Sequence, residues 1–172
     1  MVHAHCVSVH HTDPFATPEG ERSPVRRFRG RLPSAVTLWT APGPAGLTVS
    51  STLIADGDPA RVFGLIDDES DLWEAVGAGG AFAVIVLRAA DRQQADRFAG
   101  LMPAPGGLFA TGEWRQTPYG PVPAYPCTWA GCRLVGARAA GWALLVEGEP
   151  VEVELADEEP LIHHRGHYRH LR

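Results

Sequence analysis

Apolar residues in this chain fall in short runs separated by turn residues, the spacing expected of strands joined by tight connections. Ala35 to Thr40 (AVTLWT) and Gly46 to Ile54 (GLTVSSTLI) are rich in β-branched residues and flank Ala41-Pro42-Gly43-Pro44, which predicts two strands around a turn. Arg61 to Ile66 (RVFGLI) follows the breaker Asp56-Gly57-Asp58-Pro59 as a third strand. Asp67, Asp68 and Glu69 then lead to Ser70. Ser70 is a suitable N-cap for a short helix through Leu72 to Val76, and the carboxylates suit that helix's positive end. Ala81 to Leu87 (AFAVIVL) is apolar without interruption, as in a strand buried on both faces.

From Ala90 to Leu101 the period changes. Ala95, Phe98 and Leu101 fall on one helical face, and Arg92 and Asp96 stand at i,i+4 on another. Pro103 to Gly107 ends that helix, and beyond Phe109 alternating residues with glycine punctuation predict hairpins, closing on the half-exposed strand VEVEL. Six or seven short strands with two or three short helices, and no steady strand–helix alternation, predict a mainly β chain. The expected form is a closed or partly closed β-barrel, and a doubly wound sheet is excluded. Residues 1–24 mix His, Thr, Pro, Glu and Ser without an apolar period, so the expected organisation is a flexible His-containing arm over 1–24 and one domain over 25–172.

Composition narrows the chemistry. With 172 residues the chain can bury one sizeable core, and 19 Gly with 15 Pro favour many short elements joined by turns. All 15 basic side chains are Arg, which excludes a Lys Schiff base or a P-loop ammonium. A net charge of −5 argues against an electrostatic nucleic-acid binder. No apolar run approaches the roughly 20 residues that span a bilayer, and Met1 to Phe15 carries His where a signal peptide needs an apolar stretch, so a cytoplasmic protein is expected. Cys127 and Cys132 on a flat strand would lie roughly 16 Å apart, too far to bridge without a turn, and are read as two buried thiols.

The eight His sit at the two ends, His3, His5, His10 and His11 in one set and His163, His164, His167 and His170 in the other. No imidazole catalyst is therefore available between Thr12 and Ile162. With Cys6, and with Met1-Val2-His3 as a chelate pattern, these sets have ligand types for Zn²⁺, Ni²⁺ or Cu²⁺. Ordering a mobile arm costs about 1–2 kcal/mol per residue, and no metal site is assigned.

The order of these pieces carries a resemblance. FRGRLPSAVTLWT, GLTVSSTLIADGDPARVFGLI, a Ser-containing turn into a helix, GAFAVIVL, ADRFAG and PLIHHRGHYRHL together resemble the flavin reductase-like family, with its FMN-binding split barrel, from Phe28 to Leu171. GLTVSS with Pro59 eight residues after Ser51, and the terminal PL-x4-G-x-Y run, are the most specific parts. The resemblance implies a homodimer that holds FMN, or FAD, at the subunit interface. It also implies NAD(P)H as co-substrate, hydride transfer from nicotinamide to flavin N5, and an oxygenase as possible partner. It lays Thr48, Val49, Ser50, Ser51 and Thr52 along the cofactor, where a flavin needs hydroxyl and backbone donors; the alternative is ordinary strand hydroxyls. It sets the phosphate near Asp67 and Ser70, and makes His164, Arg165 and Tyr168 flavin-pocket or interface groups.

Several positions depart from the family pattern. Four carboxylates crowd Ser70 and would repel a phosphate dianion, so an Arg from elsewhere, Arg165 or Arg169, would have to compensate. The family's Gly-Asp-His turn is Ala140-Gly141-Trp142-Ala143 here, leaving Trp142 to stack on a ring or fill the core. A Ser-x-Ser is replaced by Ile54-Ala55-Asp56, and a strand Asn by Ile85. No catalytic side chain is assigned. Trp114 and Tyr119 lie in a loop that serves as a lid or as packing. Two functions stay open: an NAD(P)H-dependent flavin reductase, or a split-barrel binding protein that carries flavin or another planar ligand such as haem without turnover.

Overall fold

Residues 23–171 are described by the computed structural model; residues 1–22, with the first His set, Cys6 and the Met1-Val2-His3 pattern, lie outside them. Ser23 caps a first helix α1 (Pro24–Gly30), its hydroxyl accepting from Arg26 N at 3.2 Å. Ser as cap, Pro at the first helical position and Gly at the end make a complete helix signal at the start of the 25–172 segment, where no helix was expected from the sequence. Twelve strands follow among the described residues: β1 (Ser34–Ala35), β2 (Thr37–Ala41), β3 (Ala45–Val49), β4 (Leu53–Ala55), β5 (Arg61–Ile66), β6 (Ala81–Val86), β7 (Trp114–Thr117), β8 (Gly120–Pro123), β9 (Trp129–Ala140), β10 (Ala143–Glu154), β11 (Ile162–His164) and β12 (His167–Arg169). Helix α2 (Asp71–Gly79) lies between β5 and β6, and α3 (Arg92–Phe98) between β6 and β7.

Seven strands form one antiparallel sheet in the order β3-β2-β6-β9-β10-β5-β4. Its two edges, β3 and β4, are neighbours in sequence, joined by Ser50-Ser51-Thr52 alone. A flat sheet of this width would hold those edges about 29 Å apart, at about 4.8 Å per strand spacing. The link from Val49 to Leu53 reaches about 14 Å when fully extended. The sheet therefore has to curl until its edges meet, and the barrel follows from strand order and loop length together. GLTVSSTLI, expected as one strand, breaks at Ser50 because its two halves pair with opposite edges of the sheet, β3 with β2 and β4 with β5.

Aromatic rings fill the interior. Trp39 and Phe82 stack with centroids 4.7 Å apart and planes 7° apart. Gly64 on β5 and Gly148 on β10 leave room for them, since a Cβ there would come within 2.5 Å of Trp39 and 2.4 Å of Phe82. Val62, Ile66, Cys132 and Val146 pack around this pair, and Leu72 and Val76 of α2 close the barrel's end. The opposite side of β2 and β6 is covered as well: Leu38, Ala83 and Ile85 join Ala95, Phe98, Val122, Trp129 and Leu161 in a second cluster beneath α3, the β7–β8 hairpin and the closing strands. AFAVIVL is thus buried on both faces, as its unbroken apolar run predicts.

Trp142 does not fill the core. It stands fully exposed at the tip of the β9–β10 hairpin, beside Gly141 in the left-handed region (φ 64), because those strands run past the edge of the barrel interior. Trp114 packs edge-on against Phe98 and Phe109, and Tyr119 lies over Gly131 near Trp129, so this loop is packing and closes over no opening. No helix of the described residues is long and apolar enough to cross a membrane. Replacing Gly64 by Ala is expected to cost about 1–3 kcal/mol by overpacking Trp39. Gly136→Ala, with open space at its Cβ, should stay within about 0.5 kcal/mol of the parent, both read from urea unfolding midpoints.

Candidate functional site

The barrel-closing link is also the segment proposed to lie along a cofactor, and its hydroxyls are largely spent on closure. The Ser51 hydroxyl donates to Leu65 O at 3.3 Å and accepts from Leu65 N at 3.0 Å, pinning the link to β5. The Thr37 hydroxyl donates to Val49 O at 2.7 Å, so in its 2.7 Å contact with Thr52 the proton comes from Thr52. Trp39 Nε1 donates to both of these oxygens at 3.1 Å. Thr48 donates to Ala95 O of α3 at 2.7 Å, and Val49 is buried. Among the described residues this leaves the exposed Ser50 hydroxyl and the backbone N–H groups of Ser50, Ser51 and Thr52 without a partner in the chain. What the link offers a ligand is a row of amides rather than a row of hydroxyls. Thr37 and Trp39, which hold the row in place, were not singled out from the sequence; only the register Thr37↔Val49 brings them beside it.

Beyond Leu65 the chain enters the Asp67–Ser70 turn. Ser70 caps α2 as expected, accepting from Trp73 N at 3.2 Å while donating to Asp67 O at 2.6 Å. Asp67 Oδ1 accepts from Glu69 N at 3.0 Å. Both side chains are thus engaged in shaping the turn. Asp67, Asp68, Glu69 and Asp71 are exposed and enter no ion pair among the described residues. A phosphate here would find four carboxylates and no hydroxyl donor. The unpaired amides of the link suit the polar edge of a flavin ring, and the acidic turn does not suit a flavin phosphate within a single chain.

The closing hairpin β11–β12 lies against β1, with Ser34 opposite His163. Its turn puts Arg165 (φ 53) and Gly166 (φ 80) in the left-handed region, the geometry of a two-residue hairpin, and Arg165 N donates to Gly30 O at 2.8 Å. Tyr168 Oη donates to Asp96 Oδ1 at 2.9 Å, tying the hairpin to α3. Burial, then that hydrogen bond, holds the phenol well above its ordinary range. His164 is half-buried, and Arg165 points to solvent. The hairpin and the link meet at the same end of β2, the hairpin through β1 and the link through Thr37. Among the described residues no hydrogen bond or ion pair joins His164 or Arg165 to the link or to the acidic turn.

Other polar groups are structural. Arg88 pairs with the buried Asp91 at 2.9 Å and lies 3.4 Å over the Tyr125 ring, securing the turn into α3. Cys127 and Cys132 are buried free thiols, pushed by burial up to about 11 and about 12, so neither is a nucleophile at neutral pH. Among the described residues no group of three or more His, Cys, Asp or Glu could hold a metal ion. A concavity of 610 Å³ between the β2–β3 turn and α2, lined by Pro42, Pro44, Glu74 and Ala78 among others, borders none of the sequence-predicted site residues.

Comparison with known proteins fits this arrangement. The family model described as "Flavin reductase like domain" matches residues 29–172. The chain belongs to the flavin reductase-like family. FMN reductase (NADH) RutF 2 of Methylorubrum extorquens (strain PA1) is 30% identical over 154 residues, covering 87% of this chain and 89% of that protein. FMN reductase (NADH) RutF of Variovorax paradoxus (strain S110) is 29% identical over 130 residues, 73% and 72% of the two chains. Among solved structures, the Streptomyces globisporus C-1027 NADH:FAD oxidoreductase SgcE6 superposes with a TM-score of 0.80 at 23% identity, over 91% of this chain and 97% of the other. BorF, the flavin reductase component of a bacterial two-component tryptophan halogenase, gives 0.74 at 24% identity over 86% and 98%. These structural likenesses establish the fold, the split barrel of flavin reductases.

Within this flavin reductase-like chain the half-buried His163 is the titrating group with the clearest consequence. Burial, then Arg29, His167 and His164, lower its pKa from the ordinary 6.5. The folded state therefore binds this proton less readily than the unfolded state, and stability falls as pH drops through 6.5 towards the depressed value. Thermal unfolding followed between pH 7 and pH 5 should show this loss, and His163→Gln should flatten the slope over that interval.

Proposed function

We propose that the chain is an NADH-dependent flavin reductase that uses FMN, working as a cytoplasmic homodimer. The observation that carries this reading is the barrel-closing link, whose amides at Ser50, Ser51 and Thr52 are left without partners in the chain at the position where the family resemblance lays the flavin. Backbone donors in a row match the alternating acceptors on the pyrimidine edge of an isoalloxazine, and Ser50 supplies the one hydroxyl still able to donate. Thr37, Trp39 and Thr52 act behind the link, holding its backbone rigid so that the amides are set before a ligand arrives. The flavin, when bound, supplies the two-electron chemistry of accepting a hydride from the nicotinamide. The chain's own task is to place the two rings face to face and exclude water.

FMN and NADH are preferred over FAD and NADPH because the named relatives are FMN reductases (NADH), although SgcE6 is an NADH:FAD oxidoreductase. A partner oxygenase or halogenase that consumes the reduced flavin belongs to the same reading, supported by BorF and by the nitrilotriacetate monooxygenase component B from Mycobacterium thermoresistibile among the structural relatives. The homodimer is supported by the outer face of β4, β5 and β10, where Leu53 and Leu65 are exposed and Phe63 and Leu145 half-exposed, with no covering element among the described residues.

One observation favours the second reading, a flavin carrier without turnover. Trp142, at the position of the family's Gly-Asp-His turn, stands fully exposed in this chain, and the chain offers no imidazole there. Titration of the purified protein with FMN, followed by flavin fluorescence, should show binding at micromolar concentration. NADH absorbance should then fall faster than with free FMN alone. Binding without oxidation above that background selects the carrier; no binding of FMN overturns both readings.

A further inference from the structure

We infer that α1 of one copy docks on the β4–β5 edge and the acidic turn of a second copy, so that Arg26, Arg27 and Arg29 bring to the flavin's phosphate end the positive charge its own chain lacks. The inference rests on the homodimer reading and specifies which surfaces make it. Helix α1 buries none of its residues in its own chain. Val25 and Phe28 on it are 76% and 65% exposed, and Leu32 just beyond it 57%. Exposed apolar side chains of this size, at i and i+3 and one turn further, are the mark of a helix covered by something outside its own fold.

The charge on α1 is equally unmet. Arg26, Arg27, Arg29 and Arg31 are exposed and enter no ion pair among the described residues, whereas Arg61, Arg88, Arg92, Arg115 and Arg133 all do. The chain carries a surface of the opposite character. Leu53 and Leu65, on the outer face of β4 and β5, are 64% and 38% exposed. Directly after β5 come Asp67, Asp68, Glu69 and Asp71, exposed and without ion pairs among the described residues. Apolar meets apolar and arginine meets carboxylate when α1 of one molecule is laid on this edge of another.

Two-fold symmetry decides between the possible pairings. Packing α1 against a second α1 would bring four arginines from each copy together, and packing two acidic turns together would do the same with carboxylates. The reciprocal contact, α1 on turn and turn on α1, pairs opposite signs twice in one closed dimer. It also completes the site. With three of the turn's four carboxylates answered by Arg26, Arg27 and Arg29 of a second copy, most of the repulsion facing a phosphate beside Ser70 is offset.

Two charge-reversed full-length chains test this, one with Arg26→Glu, Arg27→Glu and Arg29→Glu on α1, the other with Asp68→Arg and Glu69→Arg on the turn. Circular dichroism checks that each keeps the parent fold, which is expected because all five side chains are exposed. In sedimentation equilibrium the parent should be a dimer, and each reversed chain alone should dissociate with its constant raised about tenfold or more. An equimolar mixture of the two should recover the parent's affinity, since both of its contacts again join opposite charges. Either reversed chain dimerising like the parent, or a mixture that stays monomeric, overturns the inference and leaves the homodimer reading standing. A monomeric parent overturns both. FMN titration of the same samples is a separate readout: a parent dimer that binds no FMN ends the proposed function, while the docking is still decided by mass.

Discussion

A link of three residues, Ser50 to Thr52, joins the two edges of a seven-stranded sheet, and most of the architecture follows from that reach. Once the edges must meet, the strands have to curl. The curled interior is too small for every position to carry a side chain, so Gly64 and Gly148 give up theirs to the stacked Trp39 and Phe82. The flanking helices then take up what the barrel leaves over, α2 at its end through Leu72 and Val76, and α3 against the outer side of β2, β3 and β6 through Ala95 and Phe98. Closure by side-chain hydroxyls, from Ser51 to Leu65 and from Thr37 to Thr52, replaces part of the ladder that β3 and β4 do not form with each other.

The same closure explains why the candidate site looks as it does. A hydroxyl that holds two sheet edges together has no proton left for a ligand, and a bent link cannot pair its amides with a neighbouring strand. The polar resource of the segment is thereby moved from side chains to backbone. Backbone donors cannot be altered by substitution, so such a site tolerates drift in side chains around it. The departures of this chain at Ile54, Ile85 and Trp142 all fall outside the link, which stays GLTVSS.

Charge is distributed with a similar division of labour. Arg61, Glu147, Glu149 and Arg133 form a chain of ion pairs across β5, β10 and β9, and Arg88 with Asp91 holds a turn. These pairs are worth little each where water screens them. Against that background the arginines of α1 and the carboxylates of the 67–71 turn are two clusters without ion pairs among the described residues, of opposite sign and both next to exposed apolar side chains. Opposite charges set out on two separate surfaces in this way suit a partner more than they suit the isolated chain.

Local signals in the chain were sufficient for RVFGLI as β5, for Ser70 as the cap of α2, for AFAVIVL as a strand with two buried faces and for two buried thiols, because each depends on near neighbours and on an alternation that burial enforces. The family resemblance over Phe28 to Leu171 was legible for the same reason, as an order of short motifs. The break of GLTVSSTLI at Ser50 was not, because nothing within those nine residues states that their halves belong to opposite edges of a sheet. Nor was the fate of Trp142, since a bulky apolar residue after Gly141 reads as core until the β9–β10 hairpin is seen to run beyond the barrel. The sequence by itself therefore determined most of the longer strands, the helices α2 and α3 and the family they compose. Only the tertiary structure decided which hydroxyls are engaged, which amides are left unpaired among the described residues and which surfaces stay exposed, because those depend on contacts between residues far apart in the chain.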